Sequence, residues 1–175
     1  MFSITRIEKM DDPHYQTVDR LYETAFPYHE KRDERAKQVA LDNESYHLNA
    51  WHFNDIFVGF IGCWQFDDYA YIEHLAIDPS LRSQGFGKKV LERFMVQHPL
   101  TILEIDPLTT EIANRRLRFY QGLGFVENSY PHAHPSYHSE INDHELVVLS
   151  SKKVISNDQY VTFLNDLQTV VMLLK

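Results

Sequence analysis

The segment Arg82-Ser83-Gln84-Gly85-Phe86-Gly87 joins an apolar run, Tyr71 to Ile77, to Val90, Leu91, Phe94 and Met95, an apolar stripe at helical spacing. A strand runs into a glycine-bearing turn, and the turn opens a helix. Free N–H groups at a helix start point outward and the dipole there favours negative charge, so this order suits a phosphate-bearing ligand. Gly85 and Gly87 are expected to let the backbone approach closely, because a Cβ would stand between amide and phosphate. An ordinary tight turn is the plain alternative, and the flanking strand and helix weigh against it. Two other phosphate motifs fail. A Walker loop needs Gly-Lys-Ser/Thr, whereas Gly87 is followed by Lys88-Lys89, and a dinucleotide fingerprint needs a third glycine.

The segment resembles the acyl-coenzyme A signature of the GNAT superfamily of N-acetyltransferases, Arg/Gln-x-x-Gly-x-Gly/Ala. A second stretch, Asn114-Arg-Arg-Leu-Arg-Phe-Tyr-Gln-Gly-Leu-Gly-Phe125, is similar to the family's second helix, with its Asn, its Tyr and its closing Leu-Gly-Phe. The resemblance covers roughly residues 2–150. It implies acetyl-CoA as co-substrate, giving its acetyl group to a primary amine of a small molecule or peptide by direct transfer in a ternary complex. It further implies a strand edge at Leu75, Ala76 and Ile77 for the pantetheine, with the Leu75 amide polarising the thioester carbonyl. Arg82, Ser83, Gln84, Gly85, Phe86, Gly87 and Lys88 would hold the pyrophosphate, and Asn114 and Tyr120 would contact the coenzyme.

Tyr120 matches the tyrosine that serves the departing thiolate. An unperturbed phenol titrates near about 10 and a thiol near about 8.5, so the phenol can donate a hydrogen bond or a proton. The packing alternative puts Tyr120 in a stripe with Ala113 and Leu117, and Asn114 on a plain helix surface. Glu73 lies where many family members carry a glutamate facing the acceptor. In a closed pocket its pKa is expected to rise, so that it serves as the base directly or through water. His74 points to the other face of a regular strand, unless a bulge intervenes.

Residues 27–46 and 127–145 should wall the acceptor pocket. The second loop holds Glu127, Glu140, Asp143 and Glu145, several tyrosines and histidines, and no Lys or Arg, which suits an amine. The spacing of His132, His134 and His138 invites a metal reading. Histidines in a proline-bearing loop are more often plain surface residues, so no metal is expected. Acetylation of a protein N-terminus or lysine is the rival within the enzyme class. A non-catalytic acyl-CoA sensor is the rival outside it, and Glu73 with Tyr120 argues against that.

At 175 residues, 43% hydrophobic, the chain suits one domain with a sizeable core. A net charge of −8 argues against nucleic acid as a partner. Cys63 is the single cysteine and sits in an apolar run, as a small buried hydrophobe would. The N-terminus lacks the layout of a signal peptide and no apolar run could span a bilayer, so a cytoplasmic protein is expected, with no membrane partner.

The elements run β-α-α-β-β-β-α-β-α-β-β. They imply an α/β fold with helices on both faces of a mixed sheet. The resemblance makes that sheet GNAT-like and mostly antiparallel, with two parallel strands, 69–77 and 100–105, splayed at the cofactor site. Residues 1–150 form the acetyltransferase domain and 151–175 an added helix. Ser156 and Gln159 form a capping box for it. Tyr160, Phe163, Leu164, Leu167, Val170, Val171 and Leu174 form a stripe to be buried on the chain's own sheet or in a homodimer.

Overall fold

The computed structural model describes residues 1–173; Leu174 and Lys175 lie outside the described residues. The chain opens with β1 (Phe2–Ile7), α1 (Tyr15–Ala25) and α2 (Glu34–Asp42), then β2 (Tyr46–Phe53), β3 (Ile56–Gln65) and β4 (Ala70–Ile77). There follow α3 (Phe86–Gln97), β5 (Thr101–Ile105), α4 (Glu111–Gly122), β6 (Phe125–Glu127), β7 (Ala133–His134), β8 (His144–Glu145), β9 (Val147–Ser151) and α5 (Asn157–Asp166). Seven strands form one sheet in the order β1-β2-β3-β4-β5-β9-β6, and β7 and β8 pair separately. Among the described residues only the β4–β5 pair is parallel.

Local chemistry accounts for most boundaries. Asp33 and Thr110 accept hydrogen bonds from Ala36 N and Ala113 N and so cap α2 and α4. Asn54 and Asp55 both take positive φ, the conformation that turns β2 into β3 as a tight hairpin. At Gly59 a Cβ would lie 2.2 Å from the Ala76 carbonyl oxygen, so only glycine lets β3 lie this close to β4.

The sheet separates two cores. On one face Val18, Leu21 and Tyr22 of α1, Ala40 and Leu41 of α2, and Tyr160 and Phe163 of α5 pack on Tyr71 and Phe60. On the other, Val90, Leu91 and Phe94 of α3 and Leu117 of α4 cover Ile61, Ile72 and Leu103. This is the mixed sheet with helices on both faces expected from the order of elements.

The C-terminal stripe is consumed within the chain. The capping box of Ser156 and Gln159 starts α5, and a π-helical turn, Leu167–Val171, continues it. Tyr160, Phe163, Leu167 and Val171 are buried in the first core, with Leu164 and Val170 packed against it. Tyr69 donates to Asp166 at 2.7 Å and the Phe163 ring lies against Tyr71, so α5 covers the start of β4. The apolar face from which a homodimer was argued is therefore occupied by the chain's own sheet, and the periodicity gives a second subunit no support.

Candidate active site

β4 and β5 pair only at Ala70–Thr101 and Tyr71–Ile102. Beyond those pairs the strands diverge, and a cleft of about 1010 Å³ opens between them. Leu75, Ala76 and Ile77 line it from β4, with Arg82, Gly87 and Tyr120 at the same end. The turn into α3 forms the mouth. Ser83 has φ 65° and Gly85 φ 81°, and successive amides in such a turn point to one side. Gly85 is the N-cap of α3 without a side-chain cap, and the first main-chain bond there runs from Lys89 N to Gly85 O. The amides of Phe86, Gly87 and Lys88 are left over, which is an anion-binding arrangement.

The side chains nearby are held elsewhere. The Phe86 ring packs on Phe2 and Phe53 and ties the helix start to the β1–β2 edge. Gln84 donates to Ser80 O at 3.4 Å, and Lys88 faces Glu92 on the surface. A Cβ on Gly87 would meet Phe119 and Ile77 at ordinary distances, so of these two glycines Gly85 is the one that intrachain geometry requires, for its positive φ. Asn114 spends its amide nitrogen on Leu108 O and Thr110 O at the start of its own helix, leaving Oδ1 for any coenzyme contact. The Tyr120 hydroxyl has no hydrogen bond among the described residues. Burial raises its pKa, which keeps it protonated, although Arg116 pulls the other way.

Glu73 differs from its expected character. The register steps from Gly62–His74 to Cys63–Ile72, so Glu73 is the extra residue of a β-bulge. The bulge turns Glu73 and His74 to the same face. His74 packs among Tyr22 and Phe26 with Nε2 2.8 Å from Glu30 O, and burial lowers its pKa. The Glu73 carboxylate is fully buried and receives Arg32 Nε at 3.1 Å, Arg32 Nη2 at 3.2 Å, Trp64 Nε1 at 2.9 Å and the Tyr137 hydroxyl at 2.7 Å. Burial alone would raise its pKa, but the Arg32 guanidinium, His74 and these donors bring it down to about 2. A carboxylate so paired has little affinity for a proton near neutrality. The expected base is thus a structural anion, because its counter-ion is part of the core.

The residues missed by sequence reasoning lie deeper in the cleft. Glu104 of β5 is buried against His132 Nε2 at 2.5 Å and also receives the Tyr71 hydroxyl. Burial pushes its pKa up, but the histidines and Tyr71 outweigh that and hold it down. His132 Nδ1 lies 2.9 Å from the Tyr160 hydroxyl, which links this group to α5. The only advance signal was a lone acid in the apolar run Thr101–Ile105.

Both loops expected to wall an acceptor pocket line the cleft, through Pro27, His29 and Glu30 on one and Ser136, Asp143 and Glu145 on the other. They are clasped at the rim, where Tyr28 donates to Glu140 at 2.7 Å and its ring stacks on His138 at 3.9 Å. His29, Glu30 and His144 bring their ligand atoms within 4.8 Å of one another, beside Asp106. His132, His134 and His138, whose spacing raised the metal question, instead contact Glu104, Pro135 O and Tyr28 O respectively.

A split parallel pair, an uncapped helix start beside it and a cleft running through the sheet describe an acyltransferase scaffold. The family model for the acetyltransferase (GNAT) family matches residues 13–125, and the chain belongs to that family. It is similar in structure over 99% of both chains, with a TM-score of 0.91 and 28% identity, to a protein of Bacteroides thetaiotaomicron named as a GNAT-family acetyltransferase. Arabidopsis thaliana Naa50, solved with the bisubstrate analogue CoA-Ac-MVNAL, shares the fold at a TM-score of 0.59 and 18% identity, over 88% of this chain and 99% of that one. YjbC of Bacillus subtilis (strain 168), also named as an acetyltransferase, is 29% identical over 59 residues, a match spanning 33% of this chain and 31% of that relative.

Proposed function

We propose that the protein transfers the acetyl group of acetyl-CoA to a primary amine of a small molecule or peptide, by direct attack in a ternary complex. The observation that carries this reading is the single cleft that joins the free amides of α3 to an acid- and aromatic-lined chamber across the sheet. The pyrophosphate would lie on the amides of Phe86, Gly87 and Lys88, with Arg82 beside it. The pantetheine would run along Leu75, Ala76 and Ile77, an edge that β5 leaves open. There the Leu75 amide would meet the thioester carbonyl, and a preorganised donor of that kind is worth a few kcal/mol, roughly. Tyr120 supplies a hydrogen bond or proton to the departing thiolate.

Glu30, Asp106, Asp143 and Glu145 line the far chamber and favour a cationic acceptor. Burial and the nearby Asp106 raise the pKa of Glu30, although His29, His144 and Arg116 pull the other way. A sensor of acyl-CoA has no use for that chamber. Naa50 accommodates an analogue of a peptide joined to coenzyme A, so acetylation of a peptide or protein N-terminus is one form of the same reading.

Thiol release from acetyl-CoA, measured over a panel of free amines and short peptides, tests the proposal. Turnover with at least one amine is expected, as is a rise in melting temperature with acetyl-CoA alone. A melting shift without turnover across the panel would favour the sensor; no shift at all would remove the coenzyme reading.

A further inference from the structure

With Glu73 neutralised by Arg32, the acceptor's proton needs another destination. His134 is 4% exposed and lies in the cleft wall at the end of β7, paired in register with His144 of β8. Its Nδ1 is 2.6 Å from the Pro135 carbonyl oxygen. A carbonyl only accepts, so Nδ1 carries the proton, and Nε2 of the neutral ring holds a bare lone pair. That Nε2 is buried and has no hydrogen-bond partner among the described residues. Buried polar atoms are nearly always paired, and an unpaired nitrogen on a residue that lines the cleft points to a partner that enters there.

The ring is also fixed in place. It stacks on Tyr137 at 5.0 Å and 27°, and the Tyr137 hydroxyl is anchored on Glu73. The Glu104 carboxylate of β5 lies within electrostatic reach, so a positive charge on the His134 ring is one that Glu104 would favour. His132, with Tyr71, keeps Glu104 engaged from its other sides. His74 of β4 lies within electrostatic reach of the ring and His144 of β8 is its register partner.

We propose that His134 Nε2 is the general base, taking a proton from the acceptor ammonium. The proposal rests on the acetyl-transfer reading and specifies the acceptor as an amine that is protonated at neutral pH. Nε2 takes one proton and becomes an imidazolium opposite the Glu104 carboxylate. The freed amine lone pair forms the C–N bond to the thioester carbon. As the C–S bond breaks, Tyr120 protonates the thiolate, and the second nitrogen proton returns to Tyr120 through water. The imidazolium releases its proton to solvent, so one proton leaves per turnover.

The test is His134→Asn, whose side-chain nitrogen can still donate toward the Pro135 carbonyl while no base remains. Two probe nucleophiles are compared at neutral pH: ethylamine, which is protonated, and hydroxylamine, which is not. Loss of a general base should lower kcat/KM for ethylamine by roughly 10²–10⁴-fold, a loss at least about tenfold larger than for hydroxylamine. Equal losses with the two probes would reduce His134 to a packing residue and overturn the proposal. Long-range proton–nitrogen NMR of the wild type decides the matter independently of turnover. A His134 ring protonated on Nδ1 and bare on Nε2 is expected, and an Nε2–H tautomer would overturn it. The coenzyme reading fails separately, by absence of the acetyl-CoA melting shift in wild type.

Discussion

Arg32 closes on Glu73 across 41 residues of sequence, Nε to Oε2 at 3.1 Å and Nη2 to Oε1 at 3.2 Å, with both side chains buried. The guanidinium also donates to Val171 O at 2.8 Å, so one ion pair joins the α1–α2 loop, the bulge of β4 and the end of the C-terminal helix. Removing one partner strands the other in a dry site. Glu73→Gln is expected to cost about 3–5 kcal/mol in urea unfolding.

The same pair sets an acid limb. Glu73 has a folded pKa of about 2, below its unfolded value near 4.5. Its contribution is therefore complete above about pH 4.5 and is lost as pH falls toward 2. Stability measured by urea unfolding between pH 5 and 3 should fall with pH in the wild type and fall less steeply in Glu73→Gln. Parallel slopes would mean that other carboxylates govern acid unfolding.

Gly85 takes φ 81° at the N-cap of α3, with open space where a Cβ would go. Its need for glycine is conformational, and a β-branched residue is disfavoured there by roughly 1–2 kcal/mol. Gly85→Val should stay folded, with the turn rearranged and the melting shift from acetyl-CoA reduced or lost. An unchanged coenzyme affinity in the folded variant would falsify the phosphate-turn assignment.

The Tyr120 hydroxyl makes no hydrogen bond among the described residues, and burial raises its pKa. Tyr120→Phe is expected to lower kcat by roughly ten- to a thousandfold with coenzyme affinity near normal. Equal turnover of the two proteins would return Tyr120 to the packing stripe it shares with Ala113 and Leu117.

Cys63 is buried in β3, and burial pushes its thiol up to about 12. Thiolate is the reactive form, so the native chain should not react with a disulfide reagent at pH 8 over minutes, while the urea-unfolded chain reacts at once. Rapid labelling of the native chain would show that β3 opens.

Phe163 packs on Tyr69, Tyr71 and His132 beneath α5. Phe163→Ala should cost about 3–5 kcal/mol, read from the urea midpoint at constant m. Sedimentation before and after the substitution should give the same mass, because the face in question is internal; a dimer that dissociates would reinstate the interface.

Much of the fold was legible because its determinants are close in sequence. A cap spans four residues, as in Thr110 with Ala113 or Ser156 with Gln159, and the β2–β3 hairpin needs Asn54 and Asp55. The uncapped start of α3 after Gly85 is likewise a local matter of turn and helix, so a strand, a glycine-bearing turn and a helix could be read in that order from the residues alone. The roles of the charged residues were not local. Glu73 is an acid in any sequence, and only the fold brings Arg32, Trp64 and Tyr137 around it and turns an expected base into a fixed anion. A bulge, invisible in residue order, puts His74 on the same face. Glu104 and His132 meet across 28 residues, and Nε2 of His134 is left without a hydrogen bond among the described residues because the Pro135 carbonyl takes the other ring nitrogen. Hydrophobic period and turn chemistry act over a few residues and survive in the sequence. Ionisation depends on what lies within a few ångströms in space, and tertiary packing decides that.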